Sequence, residues 1–381
     1  MLQKSDLFII FLIFFAIVLF MASAHQENQW KGTIENENGI MIIKNPVEPL
    51  FGEIVFDLEE DLSIGNESDD NYMFYRVFDV CVDEAGNIYV LEFGNYRVQK
   101  FDRNGKYLKT VGRKGQGPGE LEGPVRVIVD KKTGEIHVKD RSWIKIFNTD
   151  GNFIKSVHFK NYLYDFILDG SQNIWGIVSI TTESYPLHAF AKLNDQGDIE
   201  KEIAKFPFEW TQSKSGENVM VMTTDEEHDI SISQTDGNML IYGFSKEYRL
   251  NVIDKEGNVL YIIAKDEPPK SFTAQELKKY DRGRVKINLP SYKRYFYNLY
   301  TDSVGRIYVQ RDMGRRYASG KTEYDIFSKD GYYLYKTTLL HPPLYIDNGF
   351  FYTRIENEES GEELVKRFKI KNWDQMKEGI K

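Results

Sequence analysis

Four polar residues stand inside runs that otherwise read as apolar strands. They are Asp79 in FDVCV, Arg126 in VRVIV, Asp165 in YDFIL and Asn298 in YNLYT. Aligned on the turns that follow, the four fall on one position; in two further segments the register is open, with Asp229 and His341 nearby. A polar side chain in such a run needs a partner, because burying it alone is costly. Two chemistries fit. The carboxylates can neutralise Arg126 along a hydrated channel, or the set can hold a ligand or a divalent ion at the channel mouth. A second cluster is cationic. Residues 278–294, KKYDRGRVKINLPSYKR, carry seven Lys/Arg against one Asp, among them Arg282, Arg284, Lys293 and Arg294. Arg311, Arg315 and Arg316 follow in the next loop. This stretch is either a solvated loop or a cationic rim for an acidic glycan, a carboxylate or a partner protein. The interleaved Tyr292, Tyr295 and Tyr297 suit stacking on a sugar or peptide, and equally suit packing. Thr273 and Glu276 have the spacing of a capping box, which predicts a short helix just before the stretch.

Other chemistries find less support. The segment GRKGQGPGEL (112–121) holds four glycines, yet Pro124 and a strand-like run over 125–129 follow it. A phosphate loop needs a helix N-terminus there and a Gly-Lys-Ser/Thr, and neither is present. The glycines read instead as a sharp connector. His137, His158, His188, His228 and His341 show no HxxxH-type spacing, and no Gly-x-Ser-x-Gly elbow occurs. The lone Cys81 lies in an apolar run and reads as a buried, inert thiol. A formal net charge of −9 argues against nucleic acid, whose phosphates require a basic surface. No cofactor is expected beyond an ion in the channel.

The elements that must position these residues repeat. FDVCVDEAGNIYVLEFGNYRVQKFDRNGKYLKTVG (78–112) reads as four strands joined by two tight turns and one loop. Asp or Asn opens each tight turn, and Gly closes it by taking positive φ. The first hairpin recurs as GNIYV, GEIHV, QNIWG, GNMLI, GRIYV and NGFFY. The second recurs after Phe101, Phe147, Leu193, Ile253 and Phe327. Four short antiparallel strands repeated this way are the signature of propeller blades. The expected fold is all-β: a six-bladed β-propeller of four-stranded antiparallel blades.

The last unit lacks a fourth strand. Gly65 to Asp83 spans the same 18 residues as Gly112 to Asp130, so 53–64 reads as a fourth strand placed before blade one. It closes the ring from the N-terminal side and removes an exposed edge. Upstream, Lys4, the apolar run Leu7–Met21 and Ala22-Ser23-Ala24 have the layout of a secretory signal. The expected organisation is a signal peptide over 1–24, an extension over 25–52, the propeller over 53–371 and a tail over 372–381. The strand-like run 39–44 has no assigned place. Export to the periplasm, cell surface or exterior follows, with an uncleaved membrane anchor as the alternative.

The run GNIYVLEFGNYRVQKFDRNGKYLKTVGRKGQGPGEL resembles the NHL-type repeat of six-bladed propellers. The shared features are the first hairpin, the N-x-R-V-Q-x-F third strand and the Gly/Pro-rich connector. The resemblance implies the fold and leaves the activity open, since propellers host scaffolds, receptors and enzymes. Some propellers of this type are metal-dependent lyases or lactone and ester hydrolases. In a four-stranded meander, the connectors between blades share one end with the strand two–three loops, and the longest insertions fall there. That loop-rich end is the expected functional face. The first reading is an exported binding or scaffold module for a protein, a peptide or an anionic glycan. The alternative is a metal-assisted lyase or hydrolase at the channel mouth.

Overall fold

The computed structural model describes residues 29–182, 186–207, 211–215, 218–222, 229–234, 239–280, 289–311, 321–357 and 360–380. Blade one is the meander Val77–Val82, Ile88–Glu92, Arg97–Phe101 and Tyr107–Val111. Five more blades follow, all antiparallel within their meanders. Their innermost strands are Pro124–Val129, Leu163–Leu168, Ile230–Gln234, Leu299–Thr301 and Tyr345–Asp347. Each innermost strand touches the next, and the sixth returns to the first. The chain is a six-bladed β-propeller.

A single blade is apolar on both faces and cannot bury both alone. Among the described residues the core accordingly divides into six clusters, one at each interface between adjacent blades. The repeated turn residues have a mechanical role. Asp83 accepts hydrogen bonds from the Asn87 side chain at 2.8 Å and the Tyr89 hydroxyl at 3.0 Å. Asp169 does the same with Asn173 and the Trp175 indole, and Asp302 with Arg306 and Tyr308. The Asp that opens the turn thus pins the aromatic residue six places on.

A second device holds the connectors. Buried Glu92, at the end of strand two, accepts from the Tyr75 backbone at 3.0 Å and from Arg97 Nε at 2.7 Å. Arg97 also donates to the carbonyls of Asp70 and Met73. In blade two, Asp140 accepts from the backbone of Glu122 and Gly123 and pairs with Lys145 at 3.1 Å. The Arg of the third-strand motif is therefore an anchor for the incoming connector. The glycine-rich segment is such a connector, folded on itself by Leu121 N–H donating to Arg113 O at 2.7 Å. Gly112 takes φ +75°, and a Cβ there would sit 2.6 Å from Leu121 Cδ1. Gly112→Ala is expected to cost about 1–3 kcal/mol, measured as a lowered urea midpoint with unchanged m.

The ring closes as the repeat spacing requires, with a shorter strand. Leu58–Ile64 pairs antiparallel with Glu363–Ile370 as the fourth strand of blade six. Residues 50–54 run instead along the outer strand of blade five, with Leu50 N–H bonded to Tyr333 O and Ile54 N–H to Lys336 O. The run 39–44 also has a place. Ile40–Asn45 pairs parallel with Val259–Lys265, the fourth strand of blade four, and Thr33–Glu37 adds outside it. Asn45 locks this hairpin down: fully buried, it accepts from Trp30 Nε1 and Tyr333 N–H and donates to the carbonyls of Ile43, Ala264 and Gly331. The C-terminal segment packs too, with Arg306 4.1 Å over the Trp373 ring and Met376 buried.

Candidate functional site

The six innermost strands enclose a channel of about 1530 Å³. Asp79, Arg126, Asp165 and Asn298 all line it, as do Asp229 and His341. The first three share a local distortion. The strand register shifts between Val77 and Asp79, between Pro124 and Arg126, and between Leu163 and Asp165. A bulge places one extra residue in a strand and re-aims the side chain beside it. Here it recurs in three blades next to the polar residue, near the end where the connectors enter.

Arg126 sits between two carboxylates, with Nε 3.8 Å from Asp79 Oδ2 and 3.6 Å from Asp165 Oδ1. Asp79 also accepts the backbone N–H of Val80 and of Val127, the latter across the blade boundary. Burial raises the Asp79 pKa above its ordinary value, although Arg126 opposes the shift. Burial works against the Arg126 cation, but Asp165 and Asp79 outweigh it and hold the charge. Asp165 bonds the N–H of Phe166, and Asp229 bonds that of Ile230 at 2.7 Å. Asn298 donates to the Gln310 side chain at 3.1 Å. The arrangement can hydrogen-bond a polar ligand with donors and acceptors side by side. It does not fit a divalent ion: the carboxylates nearest each other share a guanidinium, and their oxygens already cap backbone amides. Among the described residues no three His, Cys, Asp or Glu converge as a metal-binding group.

Sequence reasoning missed several residues of this mouth. Lys139 lies opposite Arg126 in the register, is 2% exposed and reaches the channel. Its ammonium lies 5.4 Å from the Tyr162 ring centroid, and burial lowers its pKa. The signal was a charged residue at a place where strand two of blade one has Leu91 and that of blade three has Ile177. Tyr162 and Tyr164 are 47% and 38% exposed at the same mouth. Beside them His188 Nδ1 lies 3.0 Å from Asp229.

The cationic stretch does not stand together as a rim in the described residues. Arg311 is the clearest correction. Its side chain is 8% exposed and clamped between Asp325 and Glu267, at the interface of blades four and five. Lys293 pairs with Glu276, which holds that carboxyl down near 2 with help from the Thr273 amide. Thr273 and Glu276 do form the reciprocal capping box, starting helix α1 (Ala274–Tyr280). Arg294 lines the channel over the Tyr297 ring at 4.7 Å. Tyr295 donates its hydroxyl to the Glu267 carbonyl, which makes it a packing residue. Arg282, Arg284, Arg315, Arg316 and His228 lie outside the described residues.

Cys81 also lines the channel, half-buried against the core between blades one and two. Burial, reinforced by the Asp79 charge, pushes its thiol well above the ordinary value. Iodoacetamide at pH 7.5 is therefore expected to alkylate native Cys81 at least about tenfold more slowly than the urea-unfolded chain, read by intact mass.

Residues 64–214 match a family model described as a 6-bladed beta-propeller. A presumed exported protein of Bacteroides fragilis overlays 87% of this chain and 99% of its own, with a TM-score of 0.56 at 14% identity. That likeness concerns the fold alone. A virginiamycin B lyase from Staphylococcus aureus overlays 82% of this chain and 99% of its own at a TM-score of 0.43 and 9% identity. The protein brain tumor of Drosophila melanogaster is 34% identical over 79 residues, which is 20% of this chain and 8% of that protein. The chain thus spans only a small part of that relative.

Proposed function

We propose that this chain is an exported β-propeller binding module that takes a polar ligand into the loop-rich mouth of its central channel. The observation that carries the reading is Arg126, held between Asp79 and Asp165 in an open channel of about 1530 Å³. Rigid strands set these groups, while the connectors around them vary, which is how binding sites are commonly built. The signal-like segment 1–24, outside the described residues, supports export. The N-x-R-V-Q-x-F strand and the Gly/Pro connector support an NHL-type assignment. Protein, peptide and glycan remain the partner classes. The neutralised Arg311 and Lys293 remove part of the argument for an anionic one. The metal-assisted alternative loses ground because Arg126 occupies the space between the two nearest carboxylates.

The reading is tested by thermal shift of the full chain against peptides, neutral oligosaccharides and acidic oligosaccharides, in parallel with Arg126→Met. Ligands that raise the melting temperature of the parent protein should leave the variant's unchanged. Equal shifts in both proteins would place binding elsewhere.

A further inference from the structure

The mouth carries a feature that general polar binding does not require. Tyr162 and Tyr164 expose large aromatic surfaces side by side, with centroids 4.9 Å apart and planes at 74°. Tyr164 also leans on the buried His188 ring at 4.1 Å, which fixes its orientation. Lys139 supports Tyr162 from below. These rings are therefore held in place and left open beside Arg126 and Asp165. Aromatic side chains normally bury their faces, so two fixed and exposed rings at a cavity mark a place where something apolar-faced lands.

The rest of the mouth narrows what that is. Arg126 and Lys139 face three carboxylates, Asp79, Asp165 and Asp229, so no excess of positive charge stands here to recruit an anion. The same groups put donors and acceptors within one hydroxyl's reach, and a hydroxyl both donates and accepts. A peptide adding as an extra strand would need free backbone amides on the innermost strands. Those of Val80, Val127, Phe166 and Ile230 are already capped by Asp79, Asp165 and Asp229. An apolar face ringed by hydroxyls, without net charge, is the description of a sugar ring.

We propose that the blade three rim of the channel is a saccharide subsite, where an uncharged sugar ring stacks on Tyr162 or Tyr164 and its hydroxyls bond Arg126 and Asp165. This rests on the reading of the mouth as the binding site. The test is calorimetric titration of the full chain with cello-, xylo-, manno- and maltohexaose, repeated on Tyr162→Ala, Tyr164→Ala and Arg126→Met. Both tyrosines are exposed, so the alanine variants should keep the parent far-UV dichroism. At least one hexaose should bind, with affinity falling about tenfold for the ring that stacks. Two results overturn the proposal: no hexaose binds, or binding survives both alanine changes. A tighter hold on oligogalacturonate than on every neutral hexaose also overturns it, since that marks an anion site. If the sugars fail while another ligand class binds in an Arg126-dependent manner, only the sugar assignment falls. If Arg126→Met changes nothing for any ligand, the binding reading falls with it.

Discussion

Asp325→Leu should destabilise the protein by about 3–5 kcal/mol, the largest single effect expected here. Asp325 is buried between blades four and five and accepts from Lys265 at 3.0 Å, from Tyr248 at 2.7 Å, and from Arg311 and Tyr333. Glu267 balances the second charge, 2.8 Å from Arg311 and 3.2 Å from Lys265. Removing Asp325 leaves two buried cations facing one carboxylate, and two tyrosine hydroxyls without their acceptor. An exposed pair gives the contrast: Lys160, 73% exposed and bonded to Asp198, should tolerate alanine at a cost of about 1 kcal/mol or less. Urea denaturation of both variants reads the difference. Equal midpoints would show that the blade four–five junction does not depend on this cluster.

The same cluster sets an acid limit. Burial alone would raise the Glu267 carboxyl, but the hydrogen bond and charge of Arg311, with Lys265, hold it near 2 against an ordinary 4.5. Asp325 is lowered from 3.8 by Arg311 and Lys265, again against burial. Both groups have folded values below their unfolded ones. Their contribution is present above about pH 4.5 and fades as pH falls toward 2. The parent protein should lose stability over that interval, and Asp325→Leu should show a flatter profile across it.

Arg126→Met should weaken ligand binding at the mouth by about 100-fold, the range in which a lost charge-assisted hydrogen bond falls. Methionine keeps the length of the stem while removing every donor. The substitution also leaves Asp79 without its cation. Because burial already raises the Asp79 pKa, that carboxyl should then take up a proton at a still higher pH. Binding by the variant should therefore be both weak and more sensitive to mild acid. Unchanged affinity in a folded Arg126→Met protein would remove the channel from consideration.

The blades were readable because their turns are local. Asp83, Gly86 and Tyr89 lie within seven residues, and the hydrogen bonds that join Asp83 to Asn87 and Tyr89 need nothing from elsewhere in the chain. Ring closure was readable because connector length repeats. The channel position was readable because Asp79, Arg126 and Asp165 interrupt apolar runs at one place. What escaped depends on distant partners. Ile40–Asn45 finds its parallel partner about 220 residues away, and nothing local specifies it. Arg311 looked like a rim cation because Glu267 and Asp325, which bury its charge, lie on two different blades. Tyr162 and Tyr164 carry no local signal, since exposure at a channel mouth is a property of the closed ring.

The most direct measurement is a crystal structure of the protein with the tightest ligand from the thermal-shift screen. The account predicts ligand density in the loop-rich mouth, within hydrogen-bonding distance of Arg126 and against Tyr162 or Tyr164. Density on the opposite, tight-turn end or on the outer strand of a blade, with the mouth holding only solvent, would contradict it.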